Sequence, residues 1–145
     1  MPVVVTRIVH QPLPAVWARV ADVRAHRLPL TTVHTDPGQP RVGWSFRAVT
    51  GVGPVRFIDA MVVTRWSPPQ PDSPTAGYAV VKTGRLLGGW AEVTLTARGP
   101  ERTELVWREE IVVHPHAIGR LVAPLSDRAV AAMFRRAVTD MVGEP

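Results

Sequence analysis

Hydrophobic and polar positions change rhythm twice along this chain. Residues Val3–Val9 form a run rich in β-branched side chains, VVVTRIV, which predicts a first strand. In the next segment, PLPAVWARVADVRAHRLP, Val16, Val20 and Val23 fall near one helical face and Pro14 suits a first helical turn. Pro29 disfavours helix at Leu28, so two short helices are expected to end there. From Thr31 the period shortens from about four to two. TTVHT reads as a short strand and DPGQP as a turn.

In VGWSFRAVT, Val42, Trp44, Phe46 and Ala48 share one side; GVGP then turns the chain into the long strand VRFIDAMVVTRW. SPPQPDSPT is a stiff, extended loop. GYAVVKTG and WAEVTLTA flank RLLGG, and RGPE leads into RTELVWREEIVV. These amount to about seven strands joined mostly by short turns, hence an antiparallel sheet. Strand runs followed by a terminal helix indicate an α+β arrangement with helices on one face.

The helical rhythm returns in HPHAIGRLVAPLSDRAVAAMFRRAVTDM, His114 to Met141. At roughly 100° per residue, Ile118, Leu121, Val122 and Leu125 point one way. Val130, Met133, Phe134, Ala137, Val138 and Met141 point another, roughly 120° away. Pro124 lies between the two sets and predicts a kink, after which Ser126 can cap a restarted helix. A helix with two apolar faces either covers the mouth of a cavity or divides into two helices in a solid core; periodicity does not choose between these.

Composition narrows the function classes. A chain of 145 residues is expected to form one domain, spanning 1–145. It has no cysteine, which excludes disulfides and thiolate chemistry and makes a reducing cytoplasm the expected location. No run is long enough to span a membrane, and the first residues lack the order of a signal peptide, so a soluble protein without membrane insertion is expected. The net charge of +5 invites a nucleic-acid reading. Yet Lys82 is the sole lysine, the arginines are scattered, and Arg135–Arg136 is their only adjacent pair, so no basic cluster supports that reading.

LPAVWARVADV, GWSFRAVTGVGPVRFIDAMVVTRWSPP and GGWAEVTLTARGPERTELVWREEI together resemble the START/Bet v 1-like (SRPBCC) superfamily, within it the polyketide cyclase/dehydrase-like group. The likeness spans almost the whole chain, although these are fold signatures and none is a catalytic fingerprint. It implies a helix-grip fold: a curved seven-stranded antiparallel sheet wrapped around a long kinked C-terminal helix, with a cavity between them. It also implies binding of lipids, sterols, hormones or polyketides, or catalysis of cyclisation and dehydration, or a protein-interaction role. Fold alone does not choose among these.

Several residues are candidates for chemistry. In the last strand Thr103, Leu105, Trp107, Glu109, Ile111 and Val113 alternate onto one side, opposite Glu104, Arg108, Glu110 and His114. Glu109 would then be a carboxyl among apolar side chains, with a raised pKa, serving as proton donor or ligand anchor. The structural alternative is an ion pair with Arg47 or Arg56. Asp59 shares a side with Val55, Phe57, Met61 and Val63 and, with Glu109, Tyr78 or His34, is expected to orient polar groups of a ligand, its plainer role being a hydrogen bond or ion pair at a strand bend. His26 and His34 flank the expected cavity rim and are candidate acid–base groups beside Glu109. His114 and His116 form an H-x-H pair without a readable third ligand, so no metal is expected; Pro115 is better read as opening the final helix.

Trp44, Phe46, Tyr78 and Trp107 are expected to line the cavity from the sheet, and Leu121, Leu125 and Met133 from the helix. Leu86 and Leu87, at the turn after Lys82, suit a gate or a contact surface. The chain has no G-x-S-x-G, phosphate-binding glycine loop or dinucleotide fingerprint, so no cofactor is expected. The leading expectation is binding, transport or sequestration of a small hydrophobic ligand by a monomer or homodimer. The alternatives are a cofactor-independent cyclase or dehydratase and an interaction module with a filled core.

Overall fold

The computed structural model describes residues 2–25, 29–114, 135–136, 138–139 and 142. Its elements are β1 (Val3–Val9), α1 (Leu13–Val20), β2 (Thr31–Thr35), β3 (Ser45–Val52), β4 (Val55–Ser67), β5 (Thr75–Thr83), β6 (Leu87–Ala97) and β7 (Thr103–Val113). The strands form one sheet in the order β1-β7-β6-β5-β4-β3-β2. Every neighbouring pair is antiparallel, so β2 to β7 is a meander and only β1 pairs with a strand distant in sequence.

Alternation gives the sheet an inner face. Ala76, Tyr78 and Val80 of β5, Ala91, Val93 and Leu95 of β6, and Leu105 of β7 are all buried there. α1 lies on this face and buries Leu13, Val16 and Val20. Its first-turn bonds run from Ala15 and Val16 N–H to the Pro12 carbonyl, and the absence of an N–H on Pro14 costs nothing at that position. Trp17 packs edge-to-face on Trp66, ring centres 5.0 Å apart, and on Tyr78 at 6.2 Å. Tyr78 Oη donates to the Val20 carbonyl (3.3 Å), and Thr103 Oγ1 donates to the Gln11 carbonyl (2.9 Å), tying the helix and its approach to the sheet. Burying each such apolar side chain contributes about 1.5–3 kcal/mol.

Two local features depart from simple alternation. The β4–β5 register shifts between Val63 and Arg65. This bulge returns Trp66 to the inner face opposite Tyr78 and sends Arg65 outward toward Glu92 (3.9 Å). Val42, expected beside Trp44, is instead 64% exposed in a turn where Gly43 has φ +88°, so β3 begins at Ser45. Phe46 and Ala48 keep the expected common side, and the buried Trp44 packs on Phe46.

Between β1 and β2 the described residues hold one helix rather than two, because Val20 ends α1 and Val23–Ala25 form a turn. The expected kink at Pro124 and the capping of Ser126 lie outside the described residues, as do Ile118, Leu121, Val122 and Leu125 and the other residues of 115–134. Arg135, Arg136, Val138, Thr139 and Val142 are helical, and Val138 and Val142, one turn apart, are buried in the core. Among the described residues no helix is long and apolar enough to cross a membrane.

Candidate functional site

Three ionisable side chains from three strands meet on the inner face. On β5 the alternation that buries Tyr78 and Val80 also turns Lys82 inward. On β4 it turns Asp59 inward, opposite Ala48 of β3. On β7 it turns Glu109 inward, opposite Ala91 of β6. Lys82 Nζ lies 2.7 Å from Asp59 Oδ2 and 3.0 Å from Glu109 Oε1. The lysine and glutamate side chains are each 3% exposed, the aspartate 22%.

β6 lies between β5 and β7, yet contributes no charge to the cluster. Its inward positions here are Gly89, opposite Lys82, and Ala91, opposite Glu109. Strands stand about 4.8 Å apart, so Lys82 and Glu109 must reach over β6. The small residues leave that path open. Gly89 is further constrained by φ +113° and by the Glu110 carbonyl, which would stand 1.9 Å from an added Cβ.

Hydrogen bonds complete the cluster. Trp107 Nε1 donates to Glu109 Oε2 (3.1 Å), and Lys82 Nζ also approaches Met61 Sδ (3.9 Å). Two ammonium protons of Lys82 therefore meet carboxylate oxygens, and the third faces only the weak thioether acceptor of Met61. Asp59 Oδ1 is shielded from solvent and has no hydrogen-bond partner among the described residues.

The electrostatics follow from one cation facing two carboxyls. Burial lowers the affinity of Lys82 for its proton, but Glu109 and Asp59 outweigh it and raise its pKa. Lys82 is thus held as ammonium, not as an amine nucleophile. Burial pushes the Glu109 carboxyl above the usual carboxylate range, offset only in part by Lys82 and by the bonds from Lys82 and Trp107; Asp59 pushes it further upward. Tyr78 is raised as well, first by burial and then by the nearby Glu109 charge.

The sequence candidates divide on this geometry. Glu109 and Asp59 come together, with Trp107 bonded to Glu109. The arginine partner expected for Glu109 is corrected: Arg47 and Arg56 are exposed on the opposite face, where they pair in register with Ala60 and Gly51, and Lys82 supplies the cation. His34 is exposed beside Arg47 on that outer face, away from the cluster. His26, Leu121, Leu125 and Met133 lie outside the described residues. Tyr78 is buried with its hydroxyl already bonded to Val20. Trp44 is 1% exposed and packs on Phe46 (5.8 Å), with the Arg24 guanidinium 5.6 Å from its ring centre. Leu86 is 49% exposed in the β5–β6 turn, whereas Leu87 begins β6. Among the described residues no three His, Cys, Asp or Glu side chains are grouped to hold a metal ion.

Lys82 is the site residue that sequence reasoning missed. Two signals pointed to it: it is the only lysine among 17 basic residues, and it continues the Ala76, Tyr78, Val80 series. The opposite side of β5, with Ala79 and Val81, is almost as apolar, which concealed the inner face.

A seven-stranded antiparallel sheet carrying a helix after its first strand, with helical residues near the C-terminus packed in the core, matches the helix-grip fold. Solved structures agree. A hypothetical protein of Helicobacter pylori aligns with TM-score 0.76 at 12% identity, over 98% of this chain and 86% of its own. Norcoclaurine synthase of Thalictrum flavum aligns with TM-score 0.66 at 12% identity, over 98% and 93%. The Zhui aromatase/cyclase of a Streptomyces species aligns with TM-score 0.59 at 20% identity, over 96% and 94%. Neither a protein-family model nor a curated protein sequence matches the chain.

Proposed function

We propose that the inner face of the sheet binds a small, largely apolar molecule whose polar end meets the Lys82–Asp59–Glu109 cluster. The observation that carries this reading is the cluster itself, an ionic group buried on an otherwise apolar face beside small cross-strand neighbours. Buried ion pairs contribute little net stability, so a wholly structural role gives the chain small return for their desolvation. Access is from the Asp59 side, where Phe57 on the same face is 39% exposed. Phe46, Met61 and Trp107 supply apolar contact around the polar groups. The helix-grip fold supports the reading, since two of the similar structures bear the names of a synthase and an aromatase/cyclase.

A second reading is an enzyme of cyclase or dehydratase type. The raised pKa of Glu109 favours it, because a carboxyl that keeps its proton nearer neutral pH is a better general acid. Lys82, held as ammonium between the two carboxyls, would act on the substrate only by its charge, while a protonated Glu109 would be the group that donates to a substrate oxygen.

Native mass spectrometry of the protein purified from its own host, followed by solvent extraction, tests the binding reading. A stoichiometric extra mass released on unfolding is the expected result. Bare protein, unchanged after incubation with mixed lipids and polyketides, would overturn it in favour of an interaction module. Once a ligand is known, Glu109→Gln separates the two readings: retained binding with lost turnover identifies the enzyme.

A further inference from the structure

A buried lysine ordinarily suggests an anionic ligand; here the geometry points the other way. We infer that the site selects ligands whose polar end donates a hydrogen bond, an alcohol, phenol or amine, and rejects carboxylates and phosphates. The inference rests on the binding reading above and specifies its ligand class.

The argument starts from which hydrogen-bonding capacity remains free. Lys82 directs its ammonium at Asp59 Oδ2 and Glu109 Oε1, with Met61 Sδ, a weak acceptor, 3.9 Å away, so an incoming acceptor meets a cation already bonded to two carboxyls. Glu109 is engaged at both oxygens, Oε1 by Lys82 and Oε2 by Trp107. Tyr78 spends its hydroxyl proton on the Val20 carbonyl. What is left is Asp59 Oδ1, an acceptor hidden from solvent and without a hydrogen-bond partner among the described residues. A buried carboxylate oxygen without a donor is costly, and a ligand hydroxyl or amine relieves that cost.

Charge balance agrees. If Glu109 is ionised, the cluster holds one cation against two carboxylates and repels an anion. If Glu109 carries a proton, Asp59 already matches the lysine, and an anion finds at most the Glu109 hydroxyl and no uncompensated cation. Asp59 is also the most exposed of the three side chains, 22% against 3%, so it is the member of the cluster nearest solvent, although Oδ1 itself is covered and a ligand reaches it only by displacing that cover.

Naphthol, naphthalene and naphthoate keep one ring system and change only the polar end. Affinities are read from titration of the Trp107 indole N–H resonance. A hydrogen bond to a charged acceptor predicts naphthol binding about tenfold to a hundredfold tighter than naphthalene, with naphthoate weakest. In Asp59→Asn the amide oxygen stays on Lys82 and the amide N–H group takes the place of Oδ1, so acceptor becomes donor. In that variant the naphthol advantage is expected to vanish and naphthoate to gain, with an unchanged fold verified by thermal melting. Naphthoate binding the native protein as tightly as naphthol, or Asp59→Asn leaving the order unchanged, would overturn the inference while naphthalene binding left the apolar site standing. Failure of all three to bind would overturn the inference and the binding reading together.

Discussion

Replacing Lys82 by methionine removes a charge and keeps most of the side chain's volume. In the folded protein Lys82 is 97% shielded at its side chain, as is Glu109, each being 3% exposed, and the ammonium holds two carboxyls at 2.7 and 3.0 Å. Removing one partner of a buried pair typically costs about 3–5 kcal/mol, because the remaining charge is left uncompensated. Against a total stability of about 5–15 kcal/mol for a domain, that is a large fraction. At about 2–4 °C per kcal/mol for chains of this size, Lys82→Met is expected to lower Tm by roughly 6–20 °C at neutral pH.

The pH dependence gives the decisive check. Without the lysine, burial and Asp59 hold the Glu109 pKa still further above its unfolded value. A group so raised contributes stability that is fully present below its unfolded pKa and is lost as pH rises through the folded one. The variant should therefore recover relative to the native protein as pH falls from neutral toward the ordinary carboxylate range. Urea unfolding followed by tryptophan fluorescence over that range measures both effects. A loss below about 1 kcal/mol at neutral pH, or a loss independent of pH, would refute the ionic account of the cluster. Adding Glu109→Gln to Lys82→Met should restore part of the lost stability.

Two further outcomes test the packing. Tyr78 is the only tyrosine, and burial raises its pKa above the ordinary phenol value, so its tyrosinate absorbance should appear only well above that value or on unfolding; its contribution to stability is present below the ordinary value and lost as pH rises through the folded one. Leu105 is fully buried opposite Leu95, so Leu105→Ala should cost about 2–5 kcal/mol in urea titration with little change in slope.

Period-two alternation made the sheet legible before any coordinates. β1 and β2 run over the residues expected, and Glu109 and Asp59 face inward because their strands have one clearly apolar side. Where both sides of a strand are apolar, as on β5, pattern alone could not turn Lys82 inward. The bulge at Thr64 was equally hidden, since one extra residue leaves composition unchanged while exchanging the faces of Arg65 and Trp66. Nor can a linear reading show that Gly89 and Ala91 open a path over β6, because that depends on register between three strands. His34 looked suitable by chemistry, but its register partner is the exposed Arg47.

The position of β1 beside β7 bears on how the chain is made. Every other strand finds its partner in a sequence neighbour, within a short loop of its own end. Of the seven strands β1 is made before the others and pairs only with Thr103–Val113, roughly a hundred residues later. At about 5–20 residues per second, its β-branched run waits some 5–20 s for hydrogen-bond partners. Closure of β1 onto β7 is therefore the pairing of greatest sequence separation in the sheet, the kind of contact whose loop-closure entropy slows folding.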